Sequence, residues 1–215
     1  MTTHSLVKAS HRLVGLLLAG MVAVGFANSA AAQDTADTFI RKAVDDVVNT
    51  VKSDKAIQAG DRQKVADLVE AKIVPVLDFE RMTKDALAQH WSKASEAQKA
   101  QLVAEFRTLL IRTYSGALST YREGTVIKYK PMRDLGDGEK LVRSEVIQPG
   151  AEPIGLDYYM AQSGGKWKVY DITVFGARLV ENYRSTFRTE VNNVGIDGLL
   201  KSLATMNKSN AARKS

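Results

Sequence analysis

Few residues of this chain could carry out acid–base, nucleophilic or metal chemistry. The sequence contains no cysteine and three histidines, and of these only His90 lies beyond the first 32 residues. A catalytic histidine needs a nucleophile or an acid within reach, and a histidine-based metal site needs several ligands. A single histidine therefore argues against both kinds of site, and we expect neither a metal nor a cofactor.

Two carboxylates are the remaining candidates for a general base. Asp157 and Asp171 each lie between apolar residues of a predicted strand, and a buried carboxyl group can act as a base. The alternative is that Asp171 hydrogen-bonds to a neighbouring backbone group or tyrosine, and that Asp157 faces water. We favour this alternative, because a lone carboxylate without a second polar partner rarely defines a site.

Large apolar side chains are far more abundant, and many of them gather at one corner. The stretch WKVYDITVFGARLVENYRSTF, Trp167–Phe187, predicts a strand, a glycine and then a helix. Alternation along the strand places Trp167 and Val169 on one face. Tyr170 and Ile172 then lie on the other, so both faces need cover. Helices can supply that cover, but the pattern leaves open whether a packed core or an apolar cavity lies beneath them.

The first 32 residues have the three parts of a secretory signal. A short basic head precedes the uncharged apolar run Leu13–Ala27. Ala30 and Ala32 fit the small-residue rule for signal cleavage, which predicts a cut before Gln33. The apolar run is shorter than the roughly 20 residues of a spanning helix. An uncleaved N-terminal anchor is the alternative, but we expect an exported protein that is free in solution.

Composition and charge fit one globular domain. The formal net charge is +6, yet the basic residues form no dense stripe, so nucleic acid is not an expected partner. The sequence has no glycine-rich phosphate loop and no calcium-loop pattern. We expect a signal peptide over residues 1–32, a single domain over residues 33–208 and a basic, mobile tail over residues 209–215.

The apolar pattern changes from helical to strand periodicity at Gly124. Before it, apolar residues recur with a period of about 3.6, which predicts helices. Asp61 and Asp78 are candidate N-caps, and Ser95 with Gln98 forms a capping box. After Gly124, a period of 2 predicts four strands joined by short turns, hence an antiparallel sheet. The four are Thr125–Pro131, Lys140–Pro149, Pro153–Gln162 and Lys166–Phe175.

Further helices follow the sheet. Ala177 to Asn192 keeps a helical stripe, and Gly195 breaks it before a last short helix. Helices, then strands, then helices predict an α+β fold, with a four-stranded antiparallel sheet wrapped by N-terminal and C-terminal helices.

The chain resembles the MlaC family, also called the toluene-tolerance auxiliary family, in four segments that occur in the same order. They are VPVLDFERMTKDALAQHW (Val74–Trp91), FRTLLIRTYSGALSTY (Phe106–Tyr121), Trp167–Phe187 and GIDGLLKSL (Gly195–Leu203). The resemblance covers nearly all of the chain after the leader.

The sequence differs from the family pattern at two places. Ala88 stands where a glycine is common in the family. FGAR, Phe175–Arg178, stands where an acidic residue often precedes the glycine and a serine follows it. We expect the first difference to matter little, and the second to affect partner recognition more than lipid binding.

The resemblance implies a fold, a cargo and partners. The family fold is a curved antiparallel sheet, similar to nuclear-transport-factor-like folds, wrapped by helices around a lipid cavity. Members are periplasmic phospholipid carriers that maintain outer-membrane asymmetry. They move lipid between an MlaA-like outer-membrane lipoprotein–porin complex and an MlaFEDB-like inner-membrane ABC transporter with an MCE-domain ring. The expected protein is therefore a soluble, monomeric phospholipid carrier of the periplasm and not an enzyme. Trp167, Asp171 and Arg184 match the family motif and are expected to support the scaffold.

On the same basis we expect large apolar side chains to contact the lipid tails. From the sheet these are Val146, Leu156, Tyr158, Val169 and Ile172. From the helices they are Met82, Leu87, Phe106, Leu110, Tyr114, Leu179 and Tyr183. For each of them a place in a packed core explains the pattern nearly as well. Two other classes of function stay open: a periplasmic adaptor with a filled interior and no ligand, and an enzyme that uses Asp157 or Asp171.

Overall fold

The computed structural model describes residues 34–213. The expected signal peptide and its cleavage site, as well as the last two residues of the expected tail, lie outside the described residues. No helix within residues 34–213 is both long enough and apolar enough to cross a membrane.

Helices come first along the described chain. They are α1 (Ala36–Ser53), α2 (Lys55–Gln58), α3 (Arg62–Leu68), α4 (Phe79–Leu87) and α5 (Glu96–Tyr114). A π-helical turn (Val69–Ile73) and 3₁₀ turns (Val74–Val76, Ala88–Lys93 and Ser115–Thr120) connect them or extend their ends. The last helix, α6 (Leu179–Arg213), follows the strands.

One antiparallel sheet lies between these two helical parts of the chain. Its strands are β1 (Val126–Gly136), β2 (Glu139–Ile147), β3 (Ile154–Ser163), β4 (Lys166–Val174) and β5 (Ala177–Arg178), in sequence order across the sheet. The predicted α+β class and antiparallel order are confirmed. The sheet has a fifth, two-residue strand where the sequence predicts the start of a helix, because the chain reverses at Phe175–Gly176 and pairs briefly with β4.

Local capping chemistry sets the helix starts as the sequence predicts. The Asp61 carboxylate accepts the Lys64 amide at 3.0 Å, and the Asp78 carboxylate accepts the Arg81 amide at 2.9 Å. At α5 the capping box is complete, with Ser95 and Gln98 each satisfying the other's backbone amide. These bonds pair amides that would otherwise lack a partner at a helix N-terminus.

A β-bulge in β4 changes which residues face the helices. Tyr159 pairs with Asp171 and Met160 pairs with Val169, so Tyr170 is an extra residue on β4. The bulge brings Val169 and Ile172 to the same face, although simple alternation places them on opposite faces. That part of the sequence-based prediction is therefore wrong. Tyr170 packs under the Arg81 guanidinium, 3.5 Å from its ring centroid, and fastens α4 to the sheet.

The two ends of the described chain also differ from expectation. Gly195, at φ 74° and ψ −179°, breaks the helical conformation within α6, as predicted. The helix nevertheless continues to Arg213, so most of the segment expected to be a mobile tail is helical. At the other end, Trp167 Nε1 donates to the Asp34 carbonyl at 2.8 Å. This hydrogen bond links the residues just before α1 to β4.

Buried apolar side chains of the described residues form clusters, and partly buried residues such as Leu77 and Ile111 join them. The largest unites α4, α5 and α6 and includes Phe106, Phe187 and Leu203. A second joins α1 to the sheet, and a third joins the end of α1 to α2, α3 and the π-helical turn. The space where these clusters meet is lined by apolar side chains and forms the cavity considered below.

Ala88 has an unusual backbone conformation that the sequence did not predict. It ends α4 with φ 48° and ψ −123°, a region of backbone space that suits glycine. A residue with a side chain held in such a conformation is strained by about 1–3 kcal/mol. This conformation gives a physical reason to expect that alanine in place of glycine lowers the stability, in contrast to the expectation from the sequence.

Replacing Ala88 by glycine is expected to raise the free energy of unfolding by about 1 kcal/mol, since relief of strain exceeds the cost of a freer unfolded chain. The side chain is exposed, so little packing is lost. Equilibrium urea unfolding measures the change. The matched control is Ala104→Gly, at an exposed position in α5, which should destabilise by about 1 kcal/mol. Equal losses in both variants would show that Ala88 is not strained.

Candidate functional site

An apolar cavity lies between the inner face of the sheet and the helices that cover it. It has a volume of about 460 Å³ and is partly open to solvent. Its helical walls come from α1, the segment 69–77, the start of α4 and the end of α5, and its sheet wall comes from β1 to β4. A volume of this size is within the range of sites that bind small organic ligands.

Nine of the twelve side chains expected to contact lipid tails line this cavity. They are Met82, Leu110, Tyr114, Val146, Leu156, Tyr158, Val169, Ile172 and Leu179. The strand pairing explains why the sheet residues meet. Tyr158 pairs with Ile172, and Val146 pairs with Ile154, which also lines the cavity. Residues paired across neighbouring strands point to the same face, so one apolar surface runs across the sheet.

The other three side chains, Leu87, Phe106 and Tyr183, lie in the helical cluster instead. Leu87 and Phe106 are almost completely buried, and none of the three lines the cavity. The Phe106 ring packs edge-on against Tyr183 at 4.9 Å and against Phe187 at 5.0 Å. The helical stripe identified these residues as apolar and inward-facing, but they pack against one another and their neighbours in the cluster formed by α4, α5 and α6. Their position favours a role in the core over the expected role as tail contacts.

Sequence reasoning missed an entire wall of the cavity. Helix α1 contributes Ile40, Ala43, Val44, Val47, Val48 and Val51. The amphipathic stripe of this helix was visible in the sequence, but a stripe alone does not reveal what it packs against. Several of these valines are only half-buried, because they face open space.

Further missed residues come from short segments on either side of the cavity. Ile73, Val76 and Leu77 precede α4, and Leu118 and Tyr121 follow α5. Leu77 forms a parallel bridge with Val169, and the Asp78 amide donates to the Val169 carbonyl at 2.9 Å. This backbone link holds the start of α4 against the edge of the sheet. Sequence periodicity gave no signal for it, because the link depends on backbone groups.

The cavity carries little charge. Burial raises the pKa of the Tyr158 phenol, and burial together with Tyr114 raises the pKa of the Tyr183 phenol, which lies outside the lining, to about 12. Both phenols therefore stay neutral near pH 7. Lys72 lines one edge, but its ammonium group pairs with the Asp46 carboxylate at 2.7 Å.

The remaining polar lining gathers at one end of the cavity. Ser115, Thr120, Thr125 and Gln148 lie there, and Gln148 Nε2 donates to the Thr120 carbonyl at 3.1 Å. The cavity thus combines a long apolar surface with a few polar groups near the junction of α5, β1 and β2. Such a site suits a ligand with hydrocarbon chains and a polar end.

Comparison with known proteins identifies the group to which the chain belongs. The family model described as MlaC protein matches residues 41–205. The chain belongs to the MlaC family. A solved structure, that of the phospholipid-binding protein from Ralstonia solanacearum in complex with a phospholipid, shares 40% sequence identity with this chain at a TM-score of 0.77. The match covers 83% of this chain and 99% of that one.

A curated relative supports the same assignment. The intermembrane phospholipid transport system binding protein MlaC of Haemophilus influenzae is 24% identical over 177 residues. This match covers 80% of the present chain and 82% of the relative. The family resemblance expected from four sequence segments is confirmed.

The candidate base Asp171 has a structural role in this MlaC-family fold. It is 1% exposed. One carboxylate oxygen accepts the backbone amides of Ile172 and Val180, at 2.8 and 2.9 Å, and the other accepts Arg178 Nε at 2.8 Å. Both oxygens are therefore occupied, and the carboxylate serves the N-terminus of α6. The interpretation that Asp171 bonds to neighbouring backbone is confirmed.

The other candidates for chemistry are no better placed. Asp157 is half-buried on the sheet face away from the cavity, paired in register with Arg143 and Thr173. His90 is 4% exposed, and its Nε2 has no hydrogen-bond partner. Within residues 34–213, no cluster of three or more histidine, cysteine or acidic side chains is suited to hold a metal ion.

Proposed function

We propose that this protein is a periplasmic carrier that binds a phospholipid with its tails in the cavity and moves it between the outer and inner membranes. The proposal rests mainly on one observation, an apolar cavity of 460 Å³ in a chain of the MlaC family. The 40% identical relative whose structure contains a phospholipid supports the choice of ligand. The name of the Haemophilus influenzae relative supports a role in transport.

Hydrocarbon burial explains why such a carrier is needed. Each methylene removed from water is worth about 0.8 kcal/mol, so an acyl chain of about sixteen carbons costs on the order of 12 kcal/mol to leave exposed. A free phospholipid therefore crosses an aqueous compartment very slowly. A cavity lined by β3, β4 and α1 replaces that water with apolar side chains, while the polar end of the ligand can stay in solvent.

The expected partners follow from the same proposal. A carrier needs a donor and an acceptor, for which we propose an outer-membrane lipoprotein–porin complex and an inner-membrane ABC transporter with an MCE-domain ring. Export through the expected signal peptide supports a location in the compartment between them. The occupied carboxylate oxygens of Asp171 support a carrier rather than an enzyme that uses this residue as a base.

Native mass spectrometry of the protein purified from the periplasm tests the proposal. We expect a mass increase equal to one or more phospholipids, and lipid extraction should recover the same species. Protein refolded from denaturant without lipid is the matched control, and incubation with phosphatidylglycerol or phosphatidylethanolamine vesicles should restore the bound mass. A ligand-free mass in gentle conditions, with no uptake from vesicles, would favour the adaptor.

A further inference from the structure

The turn between β4 and β5 holds a phenylalanine in an unfavourable backbone conformation. Val174 pairs with Ala177, so Phe175 and Gly176 alone form the turn. Their φ angles are 51° and 79°. Two-residue hairpin turns with positive φ at both positions favour Asn-Gly or Gly-Gly, because bulky side chains are strained there. Turn formation therefore gives no reason for a phenylalanine at position 175.

Core packing gives no reason for it either. Phe175 is 73% exposed, the highest exposure among the large exposed apolar side chains in the described residues. A side chain that remains mostly in water contributes little to folding. Asparagine at this position would suit the turn better and would remove an exposed aromatic ring.

The position of Phe175 relative to the cavity suggests a reason. Although it is exposed, Phe175 also contributes to the cavity lining. Of the large exposed apolar side chains, Tyr114, 45% exposed, does so as well. Phe175 therefore lies at the mouth, where the apolar lining meets water, and Tyr114 marks the same boundary from the end of α5.

We propose that Phe175 forms an apolar step at the cavity mouth, across which hydrocarbon tails enter and leave. This inference rests on the proposed function. A tail that crosses the mouth exposes methylenes to water at the point of highest free energy. An aromatic ring at the mouth covers some of them and lowers the barrier in both directions. Because the ring covers little of a tail that is fully inside, its effect falls on the rate of exchange rather than on the amount bound.

The test measures the transfer of a fluorescent phospholipid from the loaded protein to phosphatidylcholine vesicles, without partner proteins. Phe175→Asn is expected to slow transfer roughly tenfold, the effect of exposing about two more methylenes in the barrier. Lipid occupancy should be unchanged and the unfolding temperature equal or higher, since asparagine suits the turn. Phe175→Leu, which keeps an apolar side chain, should transfer at close to the wild-type rate.

The matched control is Val194→Asn. Val194 is 56% exposed and does not line the cavity, so this variant should transfer lipid at the wild-type rate. An unchanged rate in Phe175→Asn would overturn the proposal. So would a fall in occupancy that accounts for the slower rate, which would place Phe175 in the binding wall.

The same measurements distinguish a failure of the proposed function from a failure of the proposed role of Phe175. Wild-type protein that neither carries lipid nor takes it up from vesicles would contradict the proposed function. Wild-type protein that exchanges lipid at the same rate as Phe175→Asn would contradict only the role of Phe175.

Discussion

Replacing Leu156 by tryptophan is expected to lower the affinity for phospholipid by roughly tenfold to fiftyfold, while the protein stays folded. Leu156 lies on β3, is half-buried and lines the cavity. A larger ring pointing into that space excludes part of a tail, and two to three methylenes left in water cost about 1.6–2.4 kcal/mol. Because the new side chain enters open space rather than a filled core, we expect little strain.

Lipid titration and native mass spectrometry measure the affinity and the retained lipid. The matched control is Leu135→Trp, the same substitution at an exposed position of β1 that does not line the cavity. The control should bind lipid as the wild type does. If Leu156→Trp bound lipid equally well, the tails would lie elsewhere and the proposed cavity wall would be misplaced.

Replacing Phe106 by alanine is expected to have the opposite effect to Leu156→Trp: a large loss of stability without a direct loss of contacts to the lipid tails. Phe106 is completely buried and holds Tyr183 and Phe187 in edge-on aromatic contacts. Truncation of a buried phenylalanine to alanine costs about 3–5 kcal/mol, because it loses apolar burial and leaves a cavity. Urea unfolding should show this loss in free energy.

Phe175→Ala is the matched control for this second prediction, because it makes the same change at an exposed position. Its effect on the free energy of unfolding should be about 0.5 kcal/mol or less. The folded fraction of Phe106→Ala should still bind phospholipid with near wild-type affinity. A marked loss of affinity with unchanged stability would return Phe106 to the lipid site, as the sequence alone suggested.

The sequence predicted those features that depend on local chemistry. The caps at Asp61, Asp78 and Ser95 follow from short polar side chains beside unpaired amides, and the structure confirms them. The break at Gly195 likewise follows from the freedom of a glycine backbone. The antiparallel order follows from short links between strands, which cannot connect parallel neighbours.

Features that depend on distant contacts were harder to predict. Strand alternation assumes regular pairing, so it missed the bulge at Tyr170 and assigned part of β4 to the wrong face. Helical periodicity shows which face is apolar but not its neighbour, so α1 was overlooked and Phe106 was placed in the cavity. The excess of apolar residues suggested a cavity or a core, and both are present.

The hydrogen bond between Trp167 and the Asp34 carbonyl joins residues that are 133 positions apart. Closing so long a loop carries a large entropic cost, and contacts of such high sequence separation slow folding. Until the sheet has formed, the apolar stripe of α1 has no sheet surface to pack against. A partly folded chain therefore exposes apolar surface, which promotes aggregation. The apolar interior that suits a lipid carrier therefore also raises the risk of aggregation while the newly made chain folds, a risk that chaperones reduce.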